Sequence, residues 1–88
     1  MTQKVTIRNR RWNLRKGQIK DRGYCDSPDS KNKSIVISKT LKGEELLEVL
    51  IHEFLHAATW DSSEQMVFET ARDIARILHR LGCKIEDF

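Results

Sequence analysis

The chain has 88 residues, 39% of them hydrophobic and 33% charged, enough for one small domain and not two. No apolar run reaches membrane-spanning length, and the opening "MTQKVTIRNRR" lacks the apolar core of a secretion signal, so the expectation is a soluble cytoplasmic protein with no membrane partner. The net charge of +3 is unevenly spread: residues 1–42 hold twelve Lys/Arg against three Asp, and residues 43–88 hold four against ten Asp/Glu.

In chain order, Val5 and Ile7 alternate with polar residues, as in a half-buried strand. "RNR" at 8–10 suits a turn, and Trp12 and Leu14 resume the alternation, so a hairpin is expected. Gly17 can bulge the second strand, which could run on to Ile19. The stretch 21–33, "DRGYCDSPDSKNK", holds the only proline and reads as a loop. "SIVIS", 34–38, is a short β-branched strand with Ile35 and Ile37 facing one way.

From about Leu41 the period becomes helical. Leu47, Leu50, Ile51, Phe54, Leu55 and Ala58 form a broad apolar stripe, expected to cover the sheet. Gly43 or Thr40 would cap this helix, with Glu44 and Glu45 in its first turn and its end near Trp60. "DSSE", 61–64, has the form of a capping box, with the cap oxygen on Asp61, Ser62 or Ser63. A second helix then runs to about Leu81, stopped by Gly82, with Val67, Ala71, Ile74, Leu78 and Leu81 on one stripe. The expected fold is α+β over a single domain 1–88: a small antiparallel sheet of two to three strands (1–40), an antiparallel helix pair (41–82) and a tail (83–88).

Within the first helix, "LIHEFLH" sets two histidines four apart, with an acid directly after the first. Residues four apart share a helix face, so His52 and His56 can aim two imidazole nitrogens at one point. Glu53, turned about 100° away, can reach a water without ligating the ion. Zinc hydrolases need that division: neutral imidazoles hold the ion, the ion acidifies water, and a carboxylate takes the proton. The motif arises by chance about once in a hundred chains of this make-up, so context must carry it. Extending the second helix's stripe backward lands on Glu64, where an unpaired carboxylate would be unfavourable. Glu64 therefore leads as third ligand, with Asp61 and Glu69 as rivals and a helix-capping acid as its plain alternative role.

His79 lies fifteen residues beyond Glu64, about 22 Å along a helix, too far to share the ion. Arg72, Arg76 and Arg80 read as a solvated face pairing with Glu69 and Asp73. Tyr24 is the candidate for stabilising an oxyanion, and Cys25 and Asp26 could support the ligands from behind. Trp12 and Trp60 read as packing residues. Cys25 and Cys83, with no ligand-spaced partner and no export signal, are expected as free thiols. The basic half is read first as complementing the acidic half; nucleic acid is a possible but less favoured partner.

"LIHEFLHAATWDSSEQMVFETARDIARIL" resembles the small zincin-like metallopeptidases, gluzincin-like in layout, found in phages and related elements. In that group HExxH is followed shortly by a helix bearing a glutamate ligand. "GYCDSP", "SIVIS" and "LKGEELLEVLIHE" look similar to the same group, so the resemblance spans most of the chain. It implies Zn²⁺ on His52, His56 and Glu64, Glu53 as general base, and strand 34–38 on the edge of the cleft, where a peptide could add as a further strand. The expected function is zinc-dependent hydrolysis of a peptide or protein substrate; the alternative is a catalytically inactive, metal-stabilised module that binds nucleic acid or a protein partner. Imidazole and carboxylate also suit Co, Ni or Fe.

Overall fold

A computed structural model describes residues 2–85, so the part of the expected tail beyond 85 lies outside the described residues. The chain forms strands β1 (Thr2–Ile7), β2 (Arg10–Gly17), β3 (Gly23–Cys25) and β4 (Ser34–Ser38), then helices α1 (Gly43–Ala58) and α2 (Glu64–Arg80). β1 and β2 make the expected hairpin. Arg8 and Asn9 form its two-residue turn, both at positive φ (50° and 67°), the twist that matches two antiparallel strands.

The rest of the sheet departs from expectation. It has four strands in the order β1-β2-β4-β3, and it is mixed: β4 runs parallel to β2 and antiparallel to β3. The chain leaves β2, returns as β3 one strand-width away, and then fills the gap with β4. β3 has only three residues, Gly-Tyr-Cys, too few to show an alternation inside a turn-rich stretch. Its pairing is supplied by β4, whose Ile35, Val36 and Ile37 are all buried, as befits a strand with neighbours on both sides and cover on both faces. Strand 34–38 is therefore internal, and the edge belongs to β3. Gly17 makes no bulge. It pairs in register with Ser38 and ends β2, where a Cβ would stand 2.9 Å from Val36 Cγ1.

α1 covers one face of the sheet, but not with the stripe expected. Its buried residues are Leu46, Leu47, Val49, Leu50, Glu53 and Ala57, while Ile51, Phe54, Leu55 and Ala58 are only partly covered. The helix is apolar around much of its circumference because it meets the sheet on one side and α2 on another. With Trp12, Leu14, Ile35, Ile37 and Leu41, the sheet-facing side forms the core. Each such aliphatic side chain contributes about 1.5–3 kcal/mol on burial. Lys42 stands at the N-cap without a side-chain hydrogen bond, and Gly43 follows at φ +63°, a conformation strained for any other residue. The acids Glu44 and Glu45 offset the missing cap by facing the helix's positive end.

α1 closes at Ala58, where Thr59 Oγ1 donates to the Leu55 carbonyl and Arg8 donates to the Ala58 carbonyl from the β1–β2 turn. After a five-residue turn, Ser63 Oγ accepts the Met66 N–H and starts α2. α2 ends at Arg80, with Gly82 at φ +88°. α2 buries Val67, Ala71 and Ala75 against α1 and reaches no strand among the described residues. Because it rests on one helix only, the buried stripe is narrow: Ala75 takes the place expected for Ile74, and Ile74 and Leu81 are exposed. Trp12 is fully buried, Trp60 is exposed on the rim, and Cys25 and Cys83 are unpaired. None of the described helices is long and apolar enough to cross a membrane.

Candidate metal centre

The helical hairpin brings the sequence-predicted ligands together. His52 and His56 sit one turn apart on α1, and the tight turn returns Glu64, the first residue of α2, beside them. His56 Nε2 is 3.1 Å from His52 Nε2 and 2.6 Å from Glu64 Oε1, and His52 Nε2 is 3.9 Å from Glu64 Oε2. Donors about 2.0–2.1 Å from a tetrahedral ion stand about 3.3 Å apart, and these three spacings bracket that value. His52, His56 and Glu64 thus form a set that could hold a metal ion, and among the described residues they are the one such group. Asp61 and Glu69 are not part of it. Glu64 does not cap its helix, since Ser63 does so; its carboxylate is turned to the histidines instead.

Burial, with the neighbouring His56 ring next in weight, lowers the pKa of His52 below the ordinary 6.5. That favours the neutral imidazole, the form that ligates metals. His56 is flanked by His52, with ring centroids 4.8 Å apart, and by Trp60, at 6.3 Å.

Glu53 lies deeper than the ligands. It is 7% exposed and continues the buried stripe of Leu46, Val49, Leu50 and Ala57. Burial pushes its carboxyl up to about 7, helped by the negative charges of Glu64 and Asp21. None of the described residues gives it a hydrogen bond or an ion pair. Room for it comes from Gly23: a Cβ there would lie 2.8 Å from both Glu53 Oε2 and Val49 Cγ1. Sequence reading missed Gly23, because a glycine in a turn-rich stretch carries no mark of which distant side chain it must admit.

The ligands open into a cleft of about 530 Å³ lined by Gly23, Tyr24, Cys25, His52, Glu53, His56, Trp60, Ser62 and Glu64. Hydrogen bonds from Ser38 N–H to the Arg22 carbonyl and from Asp26 N–H to the Ser34 carbonyl fix the phase of the β3–β4 ladder. By the alternation of an antiparallel pair, the N–H and C=O groups of Gly23 and Cys25 point away from β4, along the cleft.

The same alternation bears on Tyr24. Gly23 and Cys25 face α1, so Tyr24 projects to the other face, and its hydroxyl donates to Asp26 Oδ1. That hydrogen bond and the Asp26 charge raise the phenol's pKa. The proton expected to meet an oxyanion is thus held by Asp26. Asp26 in turn accepts the Ser34 N–H (2.8 Å), so it ties β3 to β4 and does not support the ligands. The Cys25 thiol is pushed up to about 12 by burial, then by the charges of Glu53 and Asp26, and stays protonated. His79 is exposed at the far end of α2, as its spacing required. Among Arg72, Arg76 and Arg80, only Arg72 makes an ion pair among the described residues, with Asp73 (3.1 Å).

Comparison with known protein families, with curated proteins and with solved structures finds no match to this chain.

Proposed function

We propose that the protein is a metal-dependent peptidase in which His52, His56 and Glu64 hold one divalent cation and Glu53 carries the proton. One observation supports this above all: three donor atoms converge at metal-ligand spacing beside a buried carboxyl that takes no hydrogen bond from the described residues and is raised to about 7. Two imidazoles and a carboxylate suit Zn²⁺. When bound, the ion would acidify a water and polarise the scissile carbonyl. Glu53 takes the proton of the attacking water and returns it to the leaving amine, a task for which a pKa near neutrality is well matched. The substrate is an extended peptide laid along β3, where the outward backbone groups of Gly23 and Cys25 would pair with it. The unpaired Cys25 and Cys83 support a reducing compartment, the cytoplasm.

The test compares wild type with Glu53→Gln on a mixed peptide library read by mass spectrometry, with metal content measured on both. The expected result is equal metal in the two proteins and cleavage by wild type alone. A wild type that carries zinc and cuts nothing would overturn the peptidase reading and leave a metal-stabilised module.

A further inference from the structure

The basic half of the chain does not neutralise the acidic helices. Of its described cations, Arg22 alone makes an ion pair with them, at 3.2 Å from Glu45 and 3.8 Å from Glu48; the partner of Lys16 aside, the others reach no carboxylate. Strand alternation sorts the rest. Trp12 and Leu14 point into the core, so Arg11, Asn13 and Arg15 of β2 face solvent. Their partners on β1 are Thr6, Lys4 and Thr2, which face the same way. Both helices lie on the opposite face, so among the described residues no helix covers this side of the sheet; Val36 at its centre is buried, and Lys4, Arg11 and Arg15 around it are exposed.

A hollow of about 300 Å³ opens there, lined by Lys4, Arg11, Trp12, Asn13 and Asn32. Its lining carries two cations and two amides and no carboxylate. Asn32 is held at φ +49° in the loop that rims it. Tyr24, half exposed, stands on the same face across Val36. Two cations with amide donors select an anion, their spread along two strands selects a repeating one, and an exposed aromatic on the same sheet face suits unpaired bases.

We infer that the solvent face of the sheet binds single-stranded nucleic acid, with Lys4, Arg11 and Arg15 on the phosphates and the Lys4–Arg11 hollow as the main phosphate seat. An anionic membrane fits this face less well. Surfaces that dock on lipid join cations to projecting apolar side chains, whereas among the described residues Tyr24 is the one exposed large apolar side chain on this face; Met66, Phe68, Ile74 and Ile77 belong to α2, and Leu81 follows it. The inference is independent of the metal centre.

The experiment is fluorescence anisotropy of a labelled twelve-nucleotide oligothymidylate titrated with the full chain at about 50 and 200 mM salt. The variants are Lys4→Glu/Arg11→Glu and, as a control of equal charge change, Arg76→Glu/Arg80→Glu on α2; circular dichroism and metal content check the fold of each. Three phosphate contacts give a log–log salt slope of about −2, or about 20-fold weaker binding at the higher salt. The sheet variant should bind at least tenfold more weakly with a flatter slope, and the helix control within twofold of wild type. The inference is overturned by absence of binding at the lower salt, by equal losses in both variants, by preference for a duplex of the same length, or by capture on phosphatidylserine vesicles without binding of the oligonucleotide.

Discussion

Glu53→Gln in the metal-free protein isolates the cost of placing an acid in the core stripe of α1. The carboxyl titrates near 7 in the folded chain against an ordinary 4.5. Holding it ionised therefore costs about 3 kcal/mol, or about 2 once solvent reaching it from the cleft is allowed for. Below pH 4.5 the group is neutral in both states and nothing is lost. As pH rises the unfolded chain ionises first, and the stability present in acid is lost progressively until the loss is complete above pH 7. Glutamine keeps the shape and cannot ionise. Urea unfolding followed by circular dichroism, with chelator present, should show the variant gaining about 2 kcal/mol on wild type between pH 4 and pH 8. The lowered pKa of His52 acts in both proteins alike and cancels in the difference. A difference that stays flat with pH would refute the raised carboxyl, and with it the account of burial that supports Glu53 as the proton carrier.

Two further outcomes follow from the geometry. Zinc supplied at about a hundred times its dissociation constant should stabilise the wild type by about 2.7 kcal/mol, a melting shift of about 15 °C for a domain of this size; Glu64→Ala should lose most of that shift, and an undiminished one would remove Glu64 from the ligand set. Gly23→Ala places a methyl 2.8 Å from Glu53 Oε2 and Val49 Cγ1 and should cost about 1–3 kcal/mol in urea unfolding while lowering kcat through the displaced carboxylate; wild-type values of both would show that β3 stands farther from α1.

The hairpin, β4 and both helices were legible because each is a local pattern: alternation around a two-residue turn, a β-branched run, a 3.6 period with Ser63 at one end and Gly82 at the other. The triad was legible for the same reason, since i, i+4 spacing and a short turn fix where Glu64 can fall. What escaped depends on contacts between distant segments. β3 is a strand only because β4 lies beside it, and Gly23 is constrained only because Glu53 arrives from α1. The buried stripe of α1 was readable in principle. Leu46, Val49, Leu50 and Ala57 recur at 3.6 spacing with Glu53 among them, but a carboxylate argues against that phase until its pKa is taken into account. The competing stripe through Ile51, Phe54 and Leu55 is equally apolar, and only the position of α2 decides between them.

That α2 leans on α1 alone among the described residues gives its first residue a particular mechanical position. Glu64 sits next to the pivot, the turn at residues 59–63, whereas Arg80 stands about 24 Å down the rod. A tilt of about ten degrees would carry the distal end roughly 4 Å and the carboxylate only a fraction of an ångström. Ile77 and Leu81 lie bare at that distal end, so a push applied there would reach the three donors only through the short arm of the lever.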